Sequence, residues 1–214
     1  MLSWIRSAGR PRRWARGTTV LLQGARSDEL ILLGSGTVKI VSGAESGRQA
    51  MLALRGPGDL IGEFAVFDGR PRSASVVALG AVSGWVVGSD RLHAHLGATP
   101  AAALAVLRML VSRLREADLR RLEFGSLDTV ARLASLLCTL GEQHGAGSWI
   151  RLTQAELGAA TGASREATVR AVTRLRAAGL VETARHRIRI LRPVDLARVA
   201  RGEGVPDEGG HGAG

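Results

Sequence analysis

The residues best suited to chemistry in this chain are Arg165, Glu166 and Arg170, which follow Gly162-Ala-Ser164. Ser164 is a good helix cap, so these three side chains fall in the first turns of a helix. Arginine presents a planar fork of donors that matches guanine O6 and N7, and glutamate accepts from cytosine N4. Residues at the start of a helix seated in the major groove reach base edges. The expected outward face begins with Ser164, Arg165 and Glu166 and continues through Thr168, Val169 and Arg170. Arg174 and Arg176, further along, fit a phosphate contact or a solvated face as well as a base.

Local signals supply the elements that would hold this face. Thr153-Gln-Ala-Glu156 is a capping box and opens a short helix over 154–161. Gly162 stands where a tight turn needs positive φ. A second helix is expected over 165–178, with Val169, Val172 and Leu175 as its core-facing stripe, and Gly179 ends it. Helix, glycine turn and helix at this spacing make a helix-turn-helix. Two strands, 180–183 and 187–191, joined through Ala184-Arg-His186, read as a wing. Between Arg151 and Arg192 lie nine arginines and three acids, a local net of +6 against +10 for the chain. That concentration favours double-stranded DNA as partner.

The N-terminal half has a different texture. Short apolar runs at 18–22, 30–33, 38–41, 50–54, 75–79 and 85–87 are separated by glycine-rich turns. Many short strands at this spacing imply a sandwich or barrel. Residues 1–16 are arginine-rich with little pattern and read as an unstructured start. A glycine-free stretch at 101–124 follows Pro100 and reads as one long helix. In it Leu104, Leu107, Val111 and Leu114 step by 3, 4 and 3 residues. That seam suits self-association through paired helices. Gly125 is expected to end this helix, and an amphipathic helix resumes over 127–143. The expected organisation is a sensor domain at 1–124, with its long dimerisation helix at about 100–124. A DNA-binding domain follows at 125–201, and then a disordered tail at 202–214.

Composition narrows the function further. The single cysteine, Cys138, excludes an internal disulfide framework or an Fe–S cluster held by this chain, and its Leu-rich surroundings suggest a buried, inert thiol. His93 and His95 lie two apart and should face different sides of a helix on the surface, a poor haem set. No metal site, nucleophile–base pair or phosphate-transfer motif is visible, so an enzyme is not expected. No run approaches 18 apolar residues, so the expected location is cytoplasmic, with no membrane partner.

The order of parts resembles the cyclic-AMP receptor protein/FNR family of bacterial regulators over roughly 16–192. Gly162-Ala-Ser-Arg-Glu-Ala-Thr-Val-Arg170 is similar to the family's recognition helix with its Arg-Glu-x-x-x-Arg reading head. The resemblance implies an α+β chain: an N-terminal cyclic-nucleotide-binding-type β-roll (jelly roll), a long dimerisation helix and a C-terminal winged helix-turn-helix. It also implies a homodimer on a GTGA-like inverted repeat, with RNA polymerase as a further partner.

Gly56-Pro-Gly-Asp-Leu-Ile-Gly62-Glu63-Phe64-Ala65, followed by Arg72-Ser73-Ala74, resembles the family's phosphate-binding cassette. The resemblance assigns Arg72 and Ser73 to a cyclic phosphate and Glu63 to the ribose 2′-OH, with Arg113 beside Glu63 or the base. A Thr-Ser pair in the long helix of cyclic-AMP-responsive members is replaced here by Ala117 and Asp118. Alanine offers no hydrogen bond, and Asp118 would suit guanine N1–H and N2–H better than adenine. The effector is therefore cyclic AMP, cyclic GMP or another nucleotide. The alternative is a regulator of the same fold with no small ligand.

Overall fold

The computed structural model describes residues 1–43, 49–145 and 147–206. The chain divides into two compact units, Met1–Ala117 and Asp118–Gly214, and the division falls inside one long helix.

The first unit opens with α1 (Leu2–Ala8) and β1 (Arg10–Trp14), then β2 (Thr19–Leu21), β3 (Glu29–Ser35), β4 (Val38–Gly43), β5 (Gln49–Arg55) and β6 (Leu60–Ile61). After these come α2 (Glu63–Asp68), β7 (Ser75–Ala78), β8 (Val82–Gly88) and α3 (Ser89–Ala98). The strands form two antiparallel four-stranded sheets, ordered β1-β8-β3-β6 and β2-β7-β4-β5. Trp14, Ile31, Leu33, Ile61, Val82 and Val86 of the first sheet pack with Leu21, Val38, Val76 and Ala78 of the second. The opposite face of the first sheet carries Leu30, Leu32 and Val87 against Ile5, Val66 and Leu92 of the helices. Strand β3 is thus covered on both faces, which is why it reads as an unbroken Leu-Ile-Leu-Leu run rather than an alternation.

All six expected strands are present. Residues 1–16, expected to be unstructured, instead form α1 and β1. Ile5 is fully buried and Trp14 nearly so. Their partners lie far along the chain, with Arg10 paired to Val86 and Trp14 to Val82. His95 is not a free surface group either. It stacks flat on Trp4, ring centroids 3.9 Å apart, whereas His93 is exposed.

Helix α4 (Pro100–Ser126) spans the division. Its Ala102 and Val106 are buried, while Leu104, Leu107, Val111 and Leu114 are exposed together along one side. Gly125 does not end it. A single exposed glycine costs a helix only about 1 kcal/mol, and Ser126 bonds back to Leu122 O at 2.7 Å. Asp128 starts α5 (Thr129–His144) by accepting from Ala131 N at 2.8 Å.

The rest of the second unit contains β9 (Trp149–Ile150), α6 (Gln154–Thr161), α7 (Arg165–Ala177), β10 (Val181–Ala184), β11 (Arg187–Ile190) and α8 (Pro193–Ala200). Its core includes Leu133, Leu137 and Leu140 of α5, Leu157 of α6, Leu175 of α7 and Leu196 of α8. The strands form one sheet, ordered β10-β11-β9. Cys138 is half-buried rather than fully buried. Burial pushes its thiol up, with Glu142 adding to the shift and Arg201 opposing it. That keeps it a weak nucleophile. Among the described residues no single helix is long and apolar enough to cross a membrane. Most of the expected tail, 207–214, lies outside the described residues.

Candidate functional site

The helix-turn-helix is built from local bonds. Glu156 N donates to Thr153 Oγ1 at 3.2 Å, and Thr153 N donates to Glu156 Oε2 at 2.8 Å. Gly162 takes φ +62, and Ala163 N returns to Gly158 O at 3.0 Å. A Cβ at Gly158 would stand 2.9 Å from Thr168 Oγ1, so glycine there lets α6 and α7 approach. Ser164 Oγ accepts from Ala167 N at 3.2 Å.

On α7, Ser164, Arg165, Glu166, Val169, Arg170 and Arg174 are all exposed. Arg165 and Val169, like Glu166 and Arg170, are four apart, so they share a face. Thr168 is a correction: it is 1 % exposed and its hydroxyl donates to Ser164 O at 2.9 Å. The buried stripe is Thr168, Ala171, Val172 and Leu175, not the expected one through Val169. The Glu166 carboxyl is held below the usual carboxylate range by its own backbone N–H, then by the Ser164 hydroxyl, with Arg165 and Arg170 adding to this. It is therefore an ionised acceptor at neutral pH.

The wing turns tightly, pairing Ala184 with Arg187 around Arg185 and His186, and His186 takes φ +58. Arg185, His186 and Arg187 are exposed. Arg187 and Arg189 lie over the Trp149 ring, their guanidinium carbons 4.5 and 4.9 Å from its centroid. Arg189 also pairs with Glu182. Sequence reading found the wing but did not single out Arg185, Arg187 or Trp149. The alternation at Arg187 and Arg189 was the available signal.

In the first unit, a cavity of about 210 Å³ is lined by Gly62, Glu63, Phe64, Ala65, Arg72, Ser73 and Ala74, together with Arg55, Arg113 and Ala117. Gly62, Glu63, Phe64 and Ala65 are therefore brought together with Arg72, Ser73 and Ala74. Arg72 is 4 % exposed. Its Nη1 donates to Gly62 O at 2.5 Å, and its Nη2 donates to Glu29 O at 2.6 Å and Ser27 Oγ at 2.8 Å. Its Nε is buried with no hydrogen-bond partner among the described residues. Burial lowers the guanidinium from its ordinary value, opposed by Glu29, Glu63 and Asp28. An arginine stays charged through such a shift.

Glu63, 7 % exposed, pairs with Arg113 Nη1, and Arg113 Nη2 donates to Leu60 O. Ser73 and Phe64 are exposed at the cavity. Asp118 is exposed and belongs to the second unit, while the cavity is lined from the first unit alone.

Comparison with known proteins gives the same two parts. Residues 11–99 match the model of the cyclic nucleotide-binding domain, and residues 131–199 match that of the Crp-like helix-turn-helix domain. The chain is 32 % identical over 197 residues to a CRP-like cAMP-activated global transcriptional regulator of Mycobacterium tuberculosis, covering 89 % of this chain and 88 % of that one. It is 30 % identical over 191 residues to the cyclic AMP receptor protein of Thermus thermophilus, with the same coverage of each chain. A solved CRP-family transcriptional regulator from Thermus thermophilus superposes with a TM-score of 0.77 at 25 % identity, covering 91 % of this chain and 98 % of that one. With its β-roll, its long helix and its winged helix-turn-helix, this chain belongs to the cyclic-AMP receptor protein/FNR family of DNA-binding transcriptional regulators.

Proposed function

We propose that the protein is a homodimer that reads a GTGA-like inverted repeat through α7 and is gated by a cyclic nucleotide in the β-roll cavity. The observation that carries the gating is Arg72. A buried guanidinium whose Nε–H has no partner among the described residues lines this cavity, and leaving such a donor unsatisfied costs about 1–3 kcal/mol. A phosphate oxygen there would satisfy it in a charge-assisted bond. Ser73 would add its hydroxyl, and Glu63 would accept from a ribose hydroxyl. Relatives named as cAMP-activated or as a cyclic AMP receptor support the same reading.

Self-association rests on the exposed seam Leu104, Leu107, Val111 and Leu114, and a two-fold dimer matches an inverted repeat. Within this reading residues 1–124 sense, 125–201 bind DNA, and RNA polymerase is the downstream partner in the cytoplasm. The ligand would act by binding the DNA-competent arrangement more tightly.

One observation favours a second reading, a regulator that needs no ligand. Glu63 is already neutralised by Arg113, both Arg72 Nη groups are already bonded, and Ala117 offers no hydrogen bond. Isothermal titration with cyclic AMP and cyclic GMP, with and without an operator duplex, separates the two. Heat with a nucleotide, lost in Arg72→Ala, together with tighter operator binding, supports gating. Tight operator binding with no nucleotide heat supports the ligand-independent regulator.

A further inference from the structure

Five charged or hydroxyl side chains line the cavity among the described residues: Arg55, Glu63, Arg72, Ser73 and Arg113. The proposed phosphate and ribose contacts use Arg72, Ser73 and Glu63, and Arg113 is taken up by Glu63 and Leu60 O. Arg55, the last residue of β5, is left over. The remaining wall includes Leu52, Ala53 and Ala117, which offer a base no side-chain hydrogen bond.

Arg55 is held firmly. Its Nη1 donates to Glu116 Oε1 at 3.2 Å and to Leu54 O at 2.9 Å, and its Nη2 donates to Glu116 Oε2 at 3.1 Å. The side chain is 14 % exposed. A guanidinium has two forks of parallel N–H bonds. Glu116 takes the end-on fork. The side-on fork, Nε–H with the second Nη2–H, meets no acceptor among the described residues. An arginine braced on one fork at a cavity wall offers the other as a rigid pair of donors.

The base edge that such a pair fits is guanine O6/N7, two acceptors side by side. Adenine sets an amino donor beside N7 and would oppose one of the two N–H groups. We infer that Arg55 selects the base, so that the cavity takes a 6-oxopurine cyclic nucleotide ahead of its 6-amino counterpart. Glu116 is the positioning residue that aims it. The inference rests on the cyclic-nucleotide reading of this cavity.

The test is isothermal titration of the full-length protein with cyclic GMP, cyclic IMP and cyclic AMP. Wild type should bind cyclic GMP about tenfold to a hundredfold more tightly than cyclic AMP. Cyclic IMP, which keeps O6 and N7 but lacks the 2-amino group, should follow cyclic GMP within a few-fold. Arg55→Leu should bring the guanine-to-adenine ratio to near one while cyclic AMP still binds. Arg55→Lys keeps the charge and the Glu116 pair and loses the fork, so it should also lose most of the preference if the leucine variant fails to fold. Equal or tighter binding of cyclic AMP by wild type, or a ratio unchanged in both variants, overturns the role of Arg55 and leaves the nucleotide site standing. Absence of heat with all three nucleotides overturns both readings together.

Discussion

Glu63 on α2 and Arg113 on α4, fifty residues apart, form a buried ion pair inside the first unit, with side chains 10 % and 13 % exposed. Removing one partner of such a pair strands a charge and typically costs about 3–5 kcal/mol. Arg113→Met is therefore expected to lower the melting temperature clearly. A Glu63→Gln/Arg113→Met double variant should recover much of that loss, since neither group is then left charged and alone. Urea melts of the two single variants and the double variant check this through the coupling energy.

Gly62 makes the seat of Arg72 possible. It takes φ +83, and a Cβ there would stand 2.6 Å from Arg72 Nη1 and 3.0 Å from Glu29 O. Gly62→Ala is expected to destabilise the protein by about 1–3 kcal/mol through the left-handed backbone and the clash. It should also abolish any nucleotide-induced thermal shift, because Arg72 must move. A melting curve with and without nucleotide measures both effects. A retained shift would mean that the ligand does not use Arg72.

At the recognition helix, Ser164 caps α7, and its hydroxyl helps hold the Glu166 carboxyl below the usual carboxylate range. Ser164→Ala should cost about 1 kcal/mol of stability. It should also raise the Glu166 titration toward the ordinary carboxylate value, as followed by carboxyl NMR. The sign follows from linkage. Because the folded-state value is depressed, the stabilisation is present above the unfolded carboxylate pKa and is lost as pH falls through the folded one. Wild type should therefore lose this contribution only in acid, and the variant should have less of it to lose.

The parts of the fold that were legible in the sequence are those with local causes. Thr153, Glu156, Gly162 and Ser164 act within four residues of themselves, and the bounds of α6 follow from them. Trp14 and Ile5 could not be placed because their partners are far along the chain. Thr168 and Val169 exchanged roles because adjacent helical positions differ by only about 100°. A hydroxyl that returns to Ser164 O can be buried where polarity alone argues for exposure. The cassette was legible as a motif, but the Arg55–Glu116 pair, sixty-one residues apart, carries no local signal.

Self-association through α4 makes a direct prediction. Leu107 and Leu114 are 56 % and 63 % exposed on the described chain, and covering them on a second copy would bury both. Placing Asp at both positions sets like charges across that seam. Sedimentation velocity is expected to show dimers for wild type and monomers for Leu107→Asp/Leu114→Asp. Persistence of dimers would move the interface away from this seam.

The recognition helix and the wing should differ in what they contribute to DNA binding. Arg165 stands in the first turn of α7, where a guanidinium can reach a base edge, so Arg165→Ala should cost about 1–3 kcal/mol on the operator and relax preference at one position. Arg185 and Arg187 sit at an exposed turn, and Arg187 stacks on Trp149 rather than on a neighbouring acid. Such side chains suit phosphates, which carry no sequence information. Arg185→Ala should weaken operator and random duplexes alike and reduce the salt slope of binding by about one. Salt titrations on both duplexes resolve the two roles. An Arg165 variant that loses affinity equally on random DNA would be a phosphate contact, and an Arg185 variant that loses only operator affinity would make the wing a reader of bases.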